Sequence, residues 1–69
     1  MKYAEIENVD PGLRFKTLSG IVVETSGSSL EVDVNRDDAE KIYTHEVVIV
    51  EGPGQGEKFM HNLDYAEKL

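Results

Sequence analysis

The chain has no cysteine. No disulfide can therefore staple it, no thiolate can hold a metal, and no thiol can serve as a nucleophile. It also lacks any apolar run near the ~20 residues that a membrane helix needs. The opening Met1-Lys2-Tyr3-Ala4-Glu5-Ile6-Glu7 alternates charged and apolar residues, where a secretory leader has a continuous apolar stretch. The expected location is the cytoplasm, with no membrane contact. Basic residues are scarce, 7 Lys and Arg against 14 Asp and Glu, for a net charge of −7. That sign repels phosphate and argues against nucleic acid as a partner, because such affinity comes mainly from Lys and Arg. It keeps a small protein soluble and favours a basic protein partner. At 69 residues the chain is expected to form one domain, residues 1–69, in which a single core supplies about 3–5 kcal/mol.

Apolar residues come in short runs separated by Gly, Pro, Asn, Asp and Ser, the punctuation of strands joined by turns. Asp10-Pro11-Gly12 suits a tight reversal, since Pro presets φ and Gly accepts positive φ. Before it, Tyr3, Ile6 and Val9 fit a helical stripe while Ala4 and Ile6 fit alternation, so residues 1–9 stay open between helix and strand. Leu13-Arg14-Phe15-Lys16-Thr17 alternates with Leu13 and Phe15 inward, a half-buried strand. Residues 21–25 and 30–34 read as a hairpin around Ser26-Gly27-Ser28-Ser29, with Thr25 opposite Leu30, Val23 opposite Val32 and Ile21 opposite Val34. This register sets Glu24 against Glu31, a repulsion that Arg14 and Lys16 offset if their strand lies alongside.

Over 35–42, Asn35 is a good N-cap, acids crowd the first turn and Lys41 comes late, as the helix dipole prefers. A short helix or helical turn is expected there, with a polar loop as the alternative because only Ala39 and Ile42 form its stripe. Residues 46–51 contain Val47-Val48-Ile49-Val50, apolar on both faces and expected to be covered on both. Gly52-Pro53-Gly54-Gln55-Gly56 is a loop. Residues 57–61 read as a further strand, with Phe59 and His61 on one side and Lys58 and Met60 on the other. A helical turn at Asn62-Leu63-Asp64-Tyr65 follows, the alternative being a single helix over 57–69. The expected fold class is mainly β, a small five-stranded barrel with a short helix or helical turn, closed around Phe15, Val23, Val32, Val48 and Phe59.

This order of elements resembles an SH3-like small barrel. Pro11-Gly12 before an alternating strand, Gly20-Ile21-Val22-Val23-Glu24, a hairpin and a late strand ending in Asn62-Leu63 carry the likeness. Within it, Val48-Ile49-Val50-Glu51-Gly52-Pro53-Gly54-Gln55-Gly56 is similar to the KOW motif. KOW modules contact RNA or protein in ribosomal and elongation proteins. The RNA version implies a local positive patch of Arg14, Lys16, Lys58 and His61. KOW loops usually carry a basic residue near the second Gly, where Gln55 and Glu57 stand in this chain.

Catalytic motifs find no support. A P-loop counted from Gly52 would place its second Gly at Glu57 and its hydroxyl at Phe59. His45 and His61 are the only imidazoles, nothing in their spacing brings them together, and rim positions are expected for both. Asp33, Asn35 and Asp37 alternate without the Gly of a calcium loop. The serines lie in expected turns. No catalytic, cofactor or metal residue is assigned. The function expected is a non-catalytic protein-interaction or accessory module, self-associating or docking on a basic protein. Its candidate contact residues are Val47 and Ile49 on the two-faced strand, Glu31, Asp33, Asp37 and Asp38 of an acidic cluster with Glu40, and the aromatics Tyr43 and Tyr65. A KOW-like RNA- or ribosome-associated module is the second reading, and a small metal protein or enzyme the third.

Overall fold

A computed structural model describes residues 3–32 and 42–69. They form one antiparallel sheet of five strands, β1 (Arg14–Thr17), β2 (Val22–Val32), β3 (Ile42–Glu51), β4 (Lys58–His61) and β5 (Ala66–Lys68), in the order β4-β3-β2-β1-β5. Two 3-10 turns accompany it, Tyr3–Glu5 and Leu63–Tyr65. Among the described residues β4 and β5 do not pair with each other, so the sheet is open. Among the described residues no helix is long and apolar enough to cross a membrane.

The expected strand over 13–17 forms, with Phe15 fully buried and Arg14 and Lys16 exposed. It turns into β2 through Gly20, whose φ of +88° closes a hydrogen bond from its own N–H to the Thr17 carbonyl. The next reversal is not where the sequence placed it. Residues 21–25 and 30–34 do not make a hairpin, because β2 runs unbroken through Ser26-Gly27-Ser28-Ser29. Those residues form a bulge: Thr25 pairs with Val47 and Ser29 with His45, leaving three residues opposite Glu46 alone. A tight hairpin turn needs positive φ at defined central positions. Only Gly27 has it there, at +96°, and one such residue kinks a strand without reversing it. Thr25 and Leu30 thus share a strand, and Glu24 faces Val48 and Arg14 instead of Glu31. Arg14 does offset Glu24, at 3.4 Å. Val34 and the helix expected over 35–42 lie outside the described residues, except that Ile42 opens β3.

Strand-then-turn holds over 57–65: β4 keeps Phe59 and His61 inward, and the 3-10 turn follows. Asn62 caps that turn, its side chain accepting from the Asp64 N–H at 2.9 Å. The chain then adds β5, unforeseen in the sequence, against β1. Residues 3–9 resolve as a 3-10 turn and an irregular segment. Tyr3, Ile6 and Val9, the helical stripe, all pack on the core. The Asp64 carboxylate fastens this segment by accepting from the N–H groups of Tyr3 (2.6 Å) and Ala4 (3.2 Å).

The core consists of Val9, Phe15, Val23, Val47, Ile49 and Leu63, with Tyr3, Leu13, Ile21 and Phe59 packed around it. This corrects the face of β3. Val47 and Ile49, expected to meet a partner, are 0% and 6% exposed. Val32 and Val48, expected inside, lie on the opposite face. A strand apolar on both sides cannot reveal which side faces inward; pairing of Val47 with Phe59 and of Ile49 with Val23 decides it.

Candidate functional sites

Two places carry polar or apolar groups that the fold leaves unmatched. The first is the outer face of β2 and β3. Pairing of Leu30 with Thr44, Val32 with Ile42 and Glu46 with Met60 puts these residues and Val48 on one face. Leu30 is 59% exposed, Met60 39% and Val32 37%, all on this one face, with Thr44 and Glu46 of β3 between the β2 pair and Met60. Glu46 stands in this face, its carboxylate accepting from the Ser26 hydroxyl at 2.8 Å.

The second is a histidine pair. His45 and His61 are direct cross-strand partners on the inward face, and His45 is buried with 2% of its surface exposed. His45 thus leaves the expected rim for the interior, whereas His61 is half-buried at the end of β4, and the meeting of the two, which their spacing did not suggest, follows from one fact. The β3–β4 hairpin is symmetric about Pro53, so residues 45 and 61, each eight positions from it, must meet. His45 Nε2 lies 2.7 Å from the Ile6 carbonyl and donates to it, which leaves Nδ1 as the bare nitrogen. That Nδ1 and His61 Nε2 are both buried without a partner among the described residues. The Phe59 ring meets His61 edge-on at 5.8 Å.

Among the described residues no three His, Asp or Glu side chains converge as metal ligands. Nor does an imidazole there sit within ion-pair reach of a carboxylate, since the only pair is Arg14 with Glu24.

Burial lowers the pKa of His61 from the usual 6.5. The folded state therefore resists a proton that the unfolded chain accepts near 6.5. Stability is whole above that value and is lost as pH falls through it toward the folded-state value. The urea midpoint should decline between pH 7 and about 5.5, a window that leaves most carboxylates ionised. His61→Phe should flatten the decline; an unchanged slope in that variant would assign the effect elsewhere.

The remaining contact residues scatter. Glu31 is exposed opposite half-buried Tyr43, while Tyr65, 63% exposed, belongs to the second 3-10 turn. Asp33, Asp37, Asp38 and Glu40 lie outside the described residues. The basic residues named for an RNA patch do not gather. Arg14 and Lys16 sit on β1 and Lys58 on β4, with β2 and β3 between them, about 14 Å across at ~4.8 Å per strand. His61 faces the other way. No protein-family model matches the chain, and no curated protein or solved structure matches it.

Proposed function

We propose that the chain is a non-catalytic protein-interaction module on an SH3-like plan, docking through the outer face of β2 and β3 on a basic protein. The observation that carries it is the exposed apolar surface of Leu30, Val32 and Met60, which share one face with half-buried Val48. The last strand pairs with the first, and a 3-10 turn precedes it, both in keeping with a small-barrel plan. A net charge of −7 supports a basic partner, and opposes a second copy by the same sign.

The test is affinity capture from the native cell with the parent chain and with a Leu30→Asp/Met60→Asp variant. Both residues are exposed, so the variant keeps its fold. A basic protein should be retained by the parent, released as salt rises, and bound about ten-fold more weakly by the variant. Equal retention by both proteins would remove the outer face from the proposal. Light scattering across concentrations reads self-association directly.

A further inference from the structure

Four stretches of strand edge are open among the described residues, and they are not equivalent. On β3 the side away from β2 is open over Ile42–Thr44, three residues. β5 is three residues long and carries Lys68; β4 is four long and carries Lys58. Short length and lysine are ways in which proteins keep edges from recruiting other chains. The fourth edge belongs to β2. Its side away from β3 is paired with β1 over Val22, Val23 and Glu24. The next residue, Thr25, exchanges backbone bonds with Gly12 and Leu13 at 2.8 Å each. Pro11 then stands beside Gly27, 3.5 Å from where a Cβ would sit. Cover ends there.

From Ser28 to Val32 no described backbone group bonds to β2 from that side. The stretch Ser28-Ser29-Leu30-Glu31-Val32 contains no Lys, Pro or Gly. A two-stranded ribbon is marginal in water, yet β2 and β3 continue as one here, with Ser29–Val32 paired to Ile42–His45 alone on the β2 side.

We propose that the edge of β2 from Ser28 to Val32 takes up an extended basic segment of a partner protein as an added strand. This deepens the module reading and rests on it. Backbone hydrogen bonds would hold the segment, and alternate side chains would select it. Those on the outer face meet Leu30 and Val32, which asks for apolar residues. Those on the other face meet Glu31, an exposed carboxylate, which asks for Lys or Arg. The net charge of −7 favours the same choice over a second copy. The occupant is therefore a strand that alternates apolar and basic residues.

The probe is the blocked peptide Lys-Val-Lys-Val-Lys-Val-Lys, added to the full chain and followed by amide NMR shifts and hydrogen exchange. Slowed exchange at alternate amides between Ser28 and Val32 is expected. Two further peptides carry backbone N-methyl groups, one on its lysines and one on its valines. Side chains and charge are unchanged, but each has lost the donors of one edge. One of the two should bind at least about ten-fold more weakly, and the other should resemble the parent. Leu30→Lys, a change at an exposed position, should weaken the parent peptide as well.

The proposal is overturned if both methylated peptides bind as the parent does, if protection appears on β4, β5 or Ile42–Thr44 of β3 instead, or if the parent peptide gives no shifts. Equal binding of all three with an intact salt dependence would sink strand addition yet leave docking through the face in place. Concentration-dependent dimers with the same amides protected would name a second copy as the occupant, and would overturn the basic segment.

Discussion

Phe15→Ala should leave no cooperatively folded domain at 25 °C, whereas Leu18→Ala, three residues on in the β1–β2 turn, should change stability by less than about 0.5 kcal/mol. Phe15 is 0% exposed and Leu18 is 87% exposed. The Phe15 ring touches the heart of the core and meets Tyr3 edge-on at 5.2 Å with planes at 89°. Removing a buried phenyl costs about 3–5 kcal/mol, the transfer term plus the cavity. A core of this size supplies about 3–5 kcal/mol in total, so the loss equals the whole of it. Urea denaturation and methyl-region NMR dispersion check the outcome. A Phe15→Ala protein that keeps a sharp transition with under about 1.5 kcal/mol lost would mean that the core is larger than the described residues account for.

That calculation was accessible before any coordinates, because Leu13-Arg14-Phe15-Lys16 alternates cleanly and points one large ring inward. Alternation failed where both phases were apolar. Val47-Val48-Ile49-Val50 reads the same from either side, and the inward face was settled only by neighbours, Phe59 from β4 and Val23 from β2. The same limit explains the misplaced hairpin. Val23 and Val32 match each other as well as they match residues of β3, and local pattern carries no information about which long-range partner competes better. The single positive-φ glycine in Ser26-Gly27-Ser28-Ser29 was the local hint that the strand bends there rather than reverses. β5 escaped notice because Ala66-Glu67-Lys68 has little strand propensity of its own; its pairing with β1 and the turn capped by Asn62 place it.

The candidate sites were legible in unequal parts. Strand β4 showed its inward side through Phe59 and His61, but the middle of the Gly52–Gly56 loop is Gly54, which would set His61 against Val47; the pairing is centred one residue earlier, on Pro53, and so brings His61 opposite His45. Burial of His45 could not be foreseen, since it depends on the Ile6 carbonyl reaching the ring from 39 positions away in sequence. The apolar outer face was divided in the sequence among three strands, each contributing one or two residues, and it emerges only from their register. Leu30 and Met60 were each assigned to a strand but not to a common face for that reason. The acidic residues between β2 and β3 contribute charge that is legible from composition alone.

Thr25 concentrates polar bonding in one buried side chain, and its replacement gives the second large effect. It is 3% exposed. Its hydroxyl donates to the Asp10 carbonyl at 2.7 Å and accepts from the Leu13 N–H at 3.0 Å, so both ends of the Asp10-Pro11-Gly12-Leu13 reversal hang on one oxygen. Valine has the same branched shape, opens no cavity and suits a strand. Thr25→Val nevertheless strands a donor and an acceptor that are partly shielded from water. An unsatisfied buried group costs about 1–3 kcal/mol. The expected loss is about 2–3 kcal/mol for the pair, or roughly a 10–20 °C fall in Tm for a domain of this size. Thr25→Ser keeps the oxygen and drops one methyl, so it should lose only about 1 kcal/mol. The order of the two variants is the decisive measurement, because packing and hydrogen bonding predict opposite rankings. If valine proves as stable as the parent and serine the weaker, the turn is held by its backbone bonds to Thr25 alone, and Pro11 would owe its place beside Gly27 to packing rather than to this hydroxyl.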